Sequence, residues 1–117
     1  MPNILYKTLQ QLKIGSVIKV TLPKATELYI VNDKKNFCKL EIVEHGIIMN
    51  TEWSLNHFYA YLNSKGVKNI EQFMGEELSR IKTLLLEILF CISKYETNDI
   101  YEKDVIDKVN KLKNLLY

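Results

Sequence analysis

The amino-acid sequence predicts an α+β domain: a short N-terminal helix, an antiparallel meander of three or four strands, then a C-terminal region of three helices. Two observations predict this class. Apolar and polar residues alternate with period two over much of residues 16–49, whereas apolar residues after residue 50 follow helical spacing. The length of 117 residues suits one domain. We therefore expect a single domain, with helix and sheet in residues 1–50 and helices in residues 51–117.

The first half of the sequence predicts one helix followed by the strands of the meander. Leu5, Leu9 and Leu12 follow the i, i+4, i+7 spacing of an amphipathic helix, and Gly15 is expected to end it. The alternating stretches that follow are separated by polar turns, as expected for antiparallel strands joined by hairpins. The predicted strands span residues 16–22, 26–31, 37–43 and 47–49.

The second half of the sequence predicts three helices. Thr51 or Ser54 can cap the first of them. Asn69 and Gln72 have the spacing of a capping box, so the second helix is expected to begin there and to be interrupted or kinked at the next glycine. The third helix is expected to begin after a cap at residues 97–98.

The second of these helices is unusually apolar. Residues 84–92 hold eight apolar positions out of nine, more than a helix covered on one side needs. One interpretation makes residues 76–95 the central core helix, surrounded by the sheet and two helices. The other gives part of its surface to a partner, including a homodimer formed through residues 78–92.

Composition and charge favour a globular chain that needs neither membrane nor disulfide. Apolar residues make up 47% and charged residues 26%, near globular averages. The longest nearly apolar run, residues 84–92, is well short of the ~20 residues that cross a bilayer. No secretory signal pattern is visible at the N-terminus. Cys38 and Cys91 are expected to be reduced thiols of a cytoplasmic protein.

The residue patterns of common catalytic, metal and cofactor sites do not occur in the sequence. His45, His57, Cys38 and Cys91 do not have the spacing of a zinc site. The four glycines are scattered singly, so no loop cradles a phosphate. Neither cysteine has the electropositive setting of a reactive thiolate. We therefore expect no enzyme, no metal and no cofactor.

The remaining function class is the binding of a macromolecule, and a protein partner is the first choice. Trp53 and Tyr61 flank the predicted core stripe of the first C-terminal helix, and both residue types are enriched at interface hot spots. Fifteen of the 16 cationic residues are Lys, a bias that AT-rich genomes produce. The hypothesis is a small accessory protein, such as a phage or viral inhibitor or a complex subunit.

The alternative is a nucleic-acid-binding module. Residues 1–50 carry seven Lys against four acidic residues, and the predicted sheet has a polar face on which lysines and an aromatic residue could contact phosphates and bases. A chain with one Arg has little of the planar guanidinium chemistry that reads guanine. The candidate residues for this alternative are Lys19, Lys24, Tyr29, Lys34, Lys35 and Lys39.

One resemblance to a known family covers about 35 residues, 39–73. The stretches Lys39–Ile42, His45–Ile48 and Glu52–Phe58 are similar to the strand–Gly–strand–helix pattern of the restriction-enzyme-and-adenine-methylase-associated (RAMA) domain. The sequence lacks a clear Asn-Gly-Trp-type segment after the helix. The resemblance implies an α+β module associated with DNA modification or chromatin, and it implies no particular functional residues.

Overall fold

The computed structural model describes residues 4–43, 46–49, 51–93 and 99–116. Within residues 89–104, Lys103 has the one side chain that the structure describes. Helices and an antiparallel sheet are both present, which confirms the α+β class. In chain order the elements are α1 (Ile4–Gln11), β1 (Val17–Thr21), β2 (Thr26–Val31), β3 (Phe37–Val43), β4 (Gly46–Ile48), β5 (Glu52–Trp53), α2 (Leu55–Ser64), β6 (Asn69–Gln72), α3 (Gly75–Ser93) and α4 (Asp99–Leu116).

The chain forms two compact units, and strand β3 contributes to both. The first unit contains Met1–Leu40 and Met49–Phe73, and the second contains Glu41–Ile48 and Met74–Tyr117. These units do not follow the predicted division at residue 50, because residues 51–73 group with the N-terminal sheet. That all 117 residues form one domain stays a prediction.

The sheet of the first unit is antiparallel, with β2 between β1 and β3. Strand β6 pairs with β1 at one edge, and β5 pairs with the start of β3. Helices α1 and α2 pack against one face of this sheet through the apolar stripes that their spacing predicts. The buried residues of this core are Leu9, Leu12, Ile18, Val20, Leu22, Tyr29, Val31, Phe37, Phe58 and Leu62.

Aromatic contacts hold α2 on the sheet. The ring of Phe58 lies 4.5 Å from that of Phe37 in a stacked arrangement and 4.5 Å from that of Tyr29. Tyr6 of α1 meets Tyr59 of α2 edge to face at 5.5 Å. Offset and edge-to-face pairs of this kind are favourable beyond the area they bury. They therefore fix which side of α2 faces the strands.

Strand β6 corrects the sequence prediction, because Asn69–Gln72 is extended and the following helix begins at Gly75. The capping-box pattern is a local preference, whereas pairing with β1 supplies backbone hydrogen bonds along a strand edge that would otherwise be open. The N–H of Phe73 donates to the carbonyl of Val17, and Phe73 is buried. Tertiary pairing therefore outweighs the local signal.

In the second unit α3 packs against α4 and against β4, which pairs with the end of β3. Ile81, Leu85 and Ile88 form the buried stripe of α3, and Leu86 points outward with 68% of its surface exposed. The side chains of residues 89–92, which belong to the apolar run, lie outside the described residues. The buried residues of α4 are Val105, Val109, Leu112 and Leu116.

We predict that Ser54→Ala lowers the free energy of unfolding by about 1 kcal/mol, because the cap of α2 is lost. The Ser54 hydroxyl accepts from the His57 backbone N–H and lies 2.8 Å from His57 Nδ1. Urea unfolding measures the effect. Ser54→Asp should retain most of the stability, and Ser79→Ala, at an exposed position inside α3, should cause no loss. An unchanged Ser54→Ala midpoint would contradict the capping role.

Candidate functional site

A carboxylate lies under α2, on the face of the sheet that the helices cover. Glu27 of β2 is only 9% exposed, and it pairs across the sheet with Val20, a core residue. Tyr29 lies two residues further along β2 on the same face, and the register places Lys39 of β3 beside it. Tyr61 reaches the same point from α2. We call Glu27, Tyr29, Lys39 and Tyr61 the Glu27 cluster.

The cluster satisfies both carboxylate oxygens. Tyr29 Oη donates to Glu27 Oε1 at 3.0 Å, and Tyr61 Oη lies 2.9 Å from Oε1 and 3.1 Å from Oε2. Lys39 Nζ lies 3.0 Å from Oε2, with its side chain 32% exposed. Charge-assisted hydrogen bonds of this kind make a largely buried carboxylate tolerable.

These contacts set the ionisation states in the cluster. Burial acts to raise the pKa of Glu27, but the hydrogen bonds from Lys39, Tyr61 and Tyr29 outweigh it, so the pKa is below its ordinary value. Burial, followed by the adjacent Glu27 carboxylate, raises the pKa of Tyr29. The pKa of Tyr61 is also raised, first by burial and then by its bond to Glu27. At neutral pH both phenols therefore donate to an ionised Glu27.

Trp53 completes the packing around Tyr61. Their rings stack at 4.8 Å with 21° between the planes. The indole N–H of Trp53 is buried and makes no hydrogen bond of ordinary geometry. As a donor near the Tyr29 hydroxyl it favours the phenolate, and this partly offsets the rise in the pKa of Tyr29. Since the ring of Tyr61 is stacked and its hydroxyl is bound, Tyr61 is held in one orientation.

Tyr61 also lines an open pocket of about 520 Å³, which we call the turn pocket. The turn between β1 and β2 supplies its apolar wall, and Glu27 and Tyr61 supply polar atoms. The loop after α2 lies against this turn at Gly66. A β-carbon added to Gly66 would be in van der Waals contact with Pro23, 3.8 Å from its Cγ. The other lining residues are Leu22, Pro23, Lys24, Ala25, Ser64 and Lys65.

The structure brings together the two residues predicted to bind a partner. Trp53 and Tyr61 are both half-buried. Tyr61 lines the turn pocket, and Trp53 stacks on the ring of Tyr61 without lining the pocket itself. Sequence reasoning missed Glu27 and Lys65. The signal for Glu27 was an acidic residue on the same strand face as Tyr29. Lys65 gave no local signal, because only the packing of α2 places it near Lys24.

The lysines of the predicted basic face do not share one face. The register pairs Lys19 with Leu28 and pairs Lys39 with Tyr29. Because successive residues of a strand point to opposite faces, Lys19 and Lys39 lie on opposite sides of the sheet. Tyr29 is only 1% exposed and donates to Glu27, so its ring is not available to stack on a base.

The remaining predicted lysines lie at opposite ends of the sheet. Lys24 is in the turn between β1 and β2, whereas Lys34 and Lys35 are in the loop between β2 and β3. The six residues of β2 separate the two groups by about 20 Å at a rise of ~3.3 Å per residue. The predicted set is therefore not one continuous basic surface.

A second polar cluster surrounds the thiol of Cys38 at the hairpin loop. Asn32 Nδ2 donates to Glu52 Oε1 at 2.8 Å and lies 3.4 Å from Cys38 Sγ, and Asn36 Nδ2 donates to Glu52 Oε2 at 2.8 Å. Burial, followed by the negative charge of Glu52, raises the pKa of Cys38. Cys38 is a free thiol, held mainly in its protonated form.

Among the described residues, no group of three or more His, Cys, Asp or Glu side chains is placed to hold a metal ion. Within the same part of the chain, no helix has both the length and the apolar character needed to cross a membrane. No family model matches the chain, and no curated protein or solved structure matches it at a significant level. The resemblance of residues 39–73 to the RAMA domain stays an expectation.

We predict that Glu27→Gln lowers the free energy of unfolding at pH 7 by about 1–3 kcal/mol, because the charge-assisted bonds are lost. Since the pKa of Glu27 in the folded protein is below its ordinary 4.5, its contribution is fully present above that value. It is lost as the pH falls through the folded-state pKa. The wild type should therefore lose stability below about pH 4.5, and the variant should lose less.

Urea unfolding at several pH values measures this difference. Glu41→Gln, at an exposed position, is the matched control and should follow the wild-type curve. Parallel curves for Glu27→Gln and wild type would show that the Glu27 cluster does not contribute the pH dependence.

We predict that Cys38 reacts slowly with iodoacetamide in the folded protein, because its thiolate is disfavoured. The measurement uses a Cys91→Ala background at about pH 8, near the usual thiol pKa. Glu52→Gln should accelerate alkylation several-fold by removing the adjacent negative charge. The exposed control Glu41→Gln should not change the rate, and equal rates for both variants would contradict the electrostatic cause.

Proposed function

We propose that this protein acts by binding another protein, and that the turn pocket receives an apolar side chain of that partner. The observation that carries the proposal is the fixed position of Tyr61 at the pocket, stacked on Trp53 and bonded to Glu27. An aromatic side chain that is already immobile loses little entropy on binding. Rigid aromatic residues beside a pocket are the usual anchors of protein interfaces.

The charge around the pocket indicates what lies next to that apolar side chain in the partner. Lys24 and Lys65 are exposed and line the pocket, and the acidic residue there, Glu27, is engaged by Lys39 and two tyrosines. The first unit as a whole has nine Lys and four acidic residues, a net +5, and the second has seven cations and ten acidic residues, a net −3. Charge complementarity therefore favours an acidic surface on the partner.

Nucleic acid is the second candidate, and the net +5 of the first unit is the observation that favours it. Backbone phosphates need cations that follow one path, however, and the predicted lysines are split between two faces and two ends of the sheet. The buried Tyr29 removes the stacking residue of that hypothesis. The protein partner is therefore the better supported proposal.

The mode of action that we propose is non-enzymatic. A unit of this size would bridge or block a larger protein, in the manner of a phage or viral inhibitor or of a complex subunit. The pocket chemistry needs no cofactor for that role. Self-association through residues 78–92 is a separate proposal, supported by the exposed Leu86, and sedimentation of the full chain tests it.

Affinity capture from the source cell with matched variants tests the proposed function. Ala25→Arg fills the turn pocket, and Lys24→Glu/Lys65→Glu reverses the charge beside it. Lys34→Glu/Lys35→Glu makes the same charge change at exposed positions at the other end of β2. We expect the first two variants to bind the captured protein at least about tenfold more weakly, and the third to bind normally.

The alternatives give different results. Nucleic-acid binding would be weakened by both double variants, would fall steeply with salt and would disappear after nuclease treatment. Capture that is the same for all three variants would overturn the turn pocket as the binding site. Circular dichroism of each variant confirms that the fold is retained.

A further inference from the structure

Strand β6 has an outer edge to which a further strand can pair. Within the described ranges it pairs with β1 alone. The Phe73 N–H donates to the carbonyl of Val17, so the backbone groups of Glu71 and Phe73 face β1. In an antiparallel pair the residues between them face the other way. The N–H and C=O groups of Ile70 and Gln72 therefore point away from the sheet.

A groove runs beside this edge, between β6 and α1. Its volume is about 310 Å³, and it is lined by Ile4, Leu5 and Thr8 of α1 and by residues 67–70. Ile4 is 80% exposed, although it belongs to an amphipathic helix whose core stripe is already buried. Open backbone groups next to an apolar groove are the two parts of strand addition: main-chain bonds give affinity, and the groove receives alternate side chains.

The charge at the groove selects the kind of strand that fits. Lys68 lines the groove, and helix α1, which also lines it, contains Lys7 and no acidic residue. Glu71 is the acidic residue of β6, and the register pairs it with Lys19 of β1. A second copy of the same unit would bring another net +5 to this edge, so self-pairing is electrostatically unfavourable.

We infer that β6 and the α1 groove bind an extended, acidic segment of the partner protein as an additional strand. This inference rests on the proposed function, since it gives the partner a second contact. The loop of residues 65–68 connects the two surfaces, because Lys65 lines the turn pocket and Lys68 lines the groove. Alternate side chains of the segment are apolar and enter the groove past Ile4, and carboxylates at the ends of the segment lie near the positive charges of Lys68 and of α1.

A defined peptide tests the edge without the natural partner. The probe is a capped peptide of about eight residues, long enough to span β6, with alternating valine and threonine in the middle and two aspartates at each end. Added to the isotope-labelled full chain, it should slow amide hydrogen exchange several-fold at Ile70 and Gln72 but not at Phe73, which already donates to β1. The same peptide with two lysines at each end in place of the aspartates is the control. No slowing at Ile70 and Gln72, or equal slowing by both peptides, would overturn the inference.

Two isoleucine variants separate this inference from the proposed function. Ile4→Glu places a negative charge in the groove, and Ile14→Glu makes the same change at an exposed position that does not line it. Ile4→Glu should weaken both the aspartate peptide and the captured partner, and Ile14→Glu should weaken neither. If the Lys24→Glu/Lys65→Glu variant loses the partner but the Ile4→Glu variant retains it, the groove is overturned as a binding site. The turn pocket then remains the supported site. Concentration-dependent dimers that Ile4→Glu abolishes would assign the edge to a second copy instead.

Discussion

The ionised carboxylate of Glu27, held under α2, is the constraint on which the first unit depends. A buried carboxylate without partners would be strongly destabilising, so the strands must be in the one register that places Lys39 and Tyr29 on its face. A slip of β3 by one residue would turn Lys39 to the other side of the sheet. The bond from Tyr61 adds α2 to the same requirement, and the helix is thereby fixed relative to the strands.

The same cluster decides which groups are left for binding. Lys39 and Tyr29 contact Glu27, so neither belongs to an open basic face. The exposed cations near the candidate surfaces are instead in the turn after β1 and in the loop after α2, where Lys24, Lys65 and Lys68 border the turn pocket and the groove. Interior electrostatics and surface chemistry are thus linked, because a lysine used inside the fold cannot contribute to the surface.

Local patterns predicted much of this fold. Period-two alternation located β1, β2 and β3 within a residue or so. Of the two predicted caps, Thr51 and Ser54, the structure has Ser54 at the start of α2, where its hydroxyl meets an otherwise unpaired N–H. Strand β6 was missed because a capping pair at Asn69 and Gln72 favours a helix locally. The pairing with β1 that outweighs it involves residues about fifty positions away.

The sequence by itself determined the α+β class, the three strands of the meander and the proximity in the chain of Trp53 to Tyr61. It could not determine which face of one strand lies on the same side of the sheet as a given face of the next strand. Alternation shows that a strand has two faces, but it does not show how neighbouring strands are aligned. The tertiary structure decided that Lys19 and Lys39 lie on opposite sides and that Glu27 is buried. The physical reason is that register and burial follow from hydrogen bonds and packing between segments far apart in the chain.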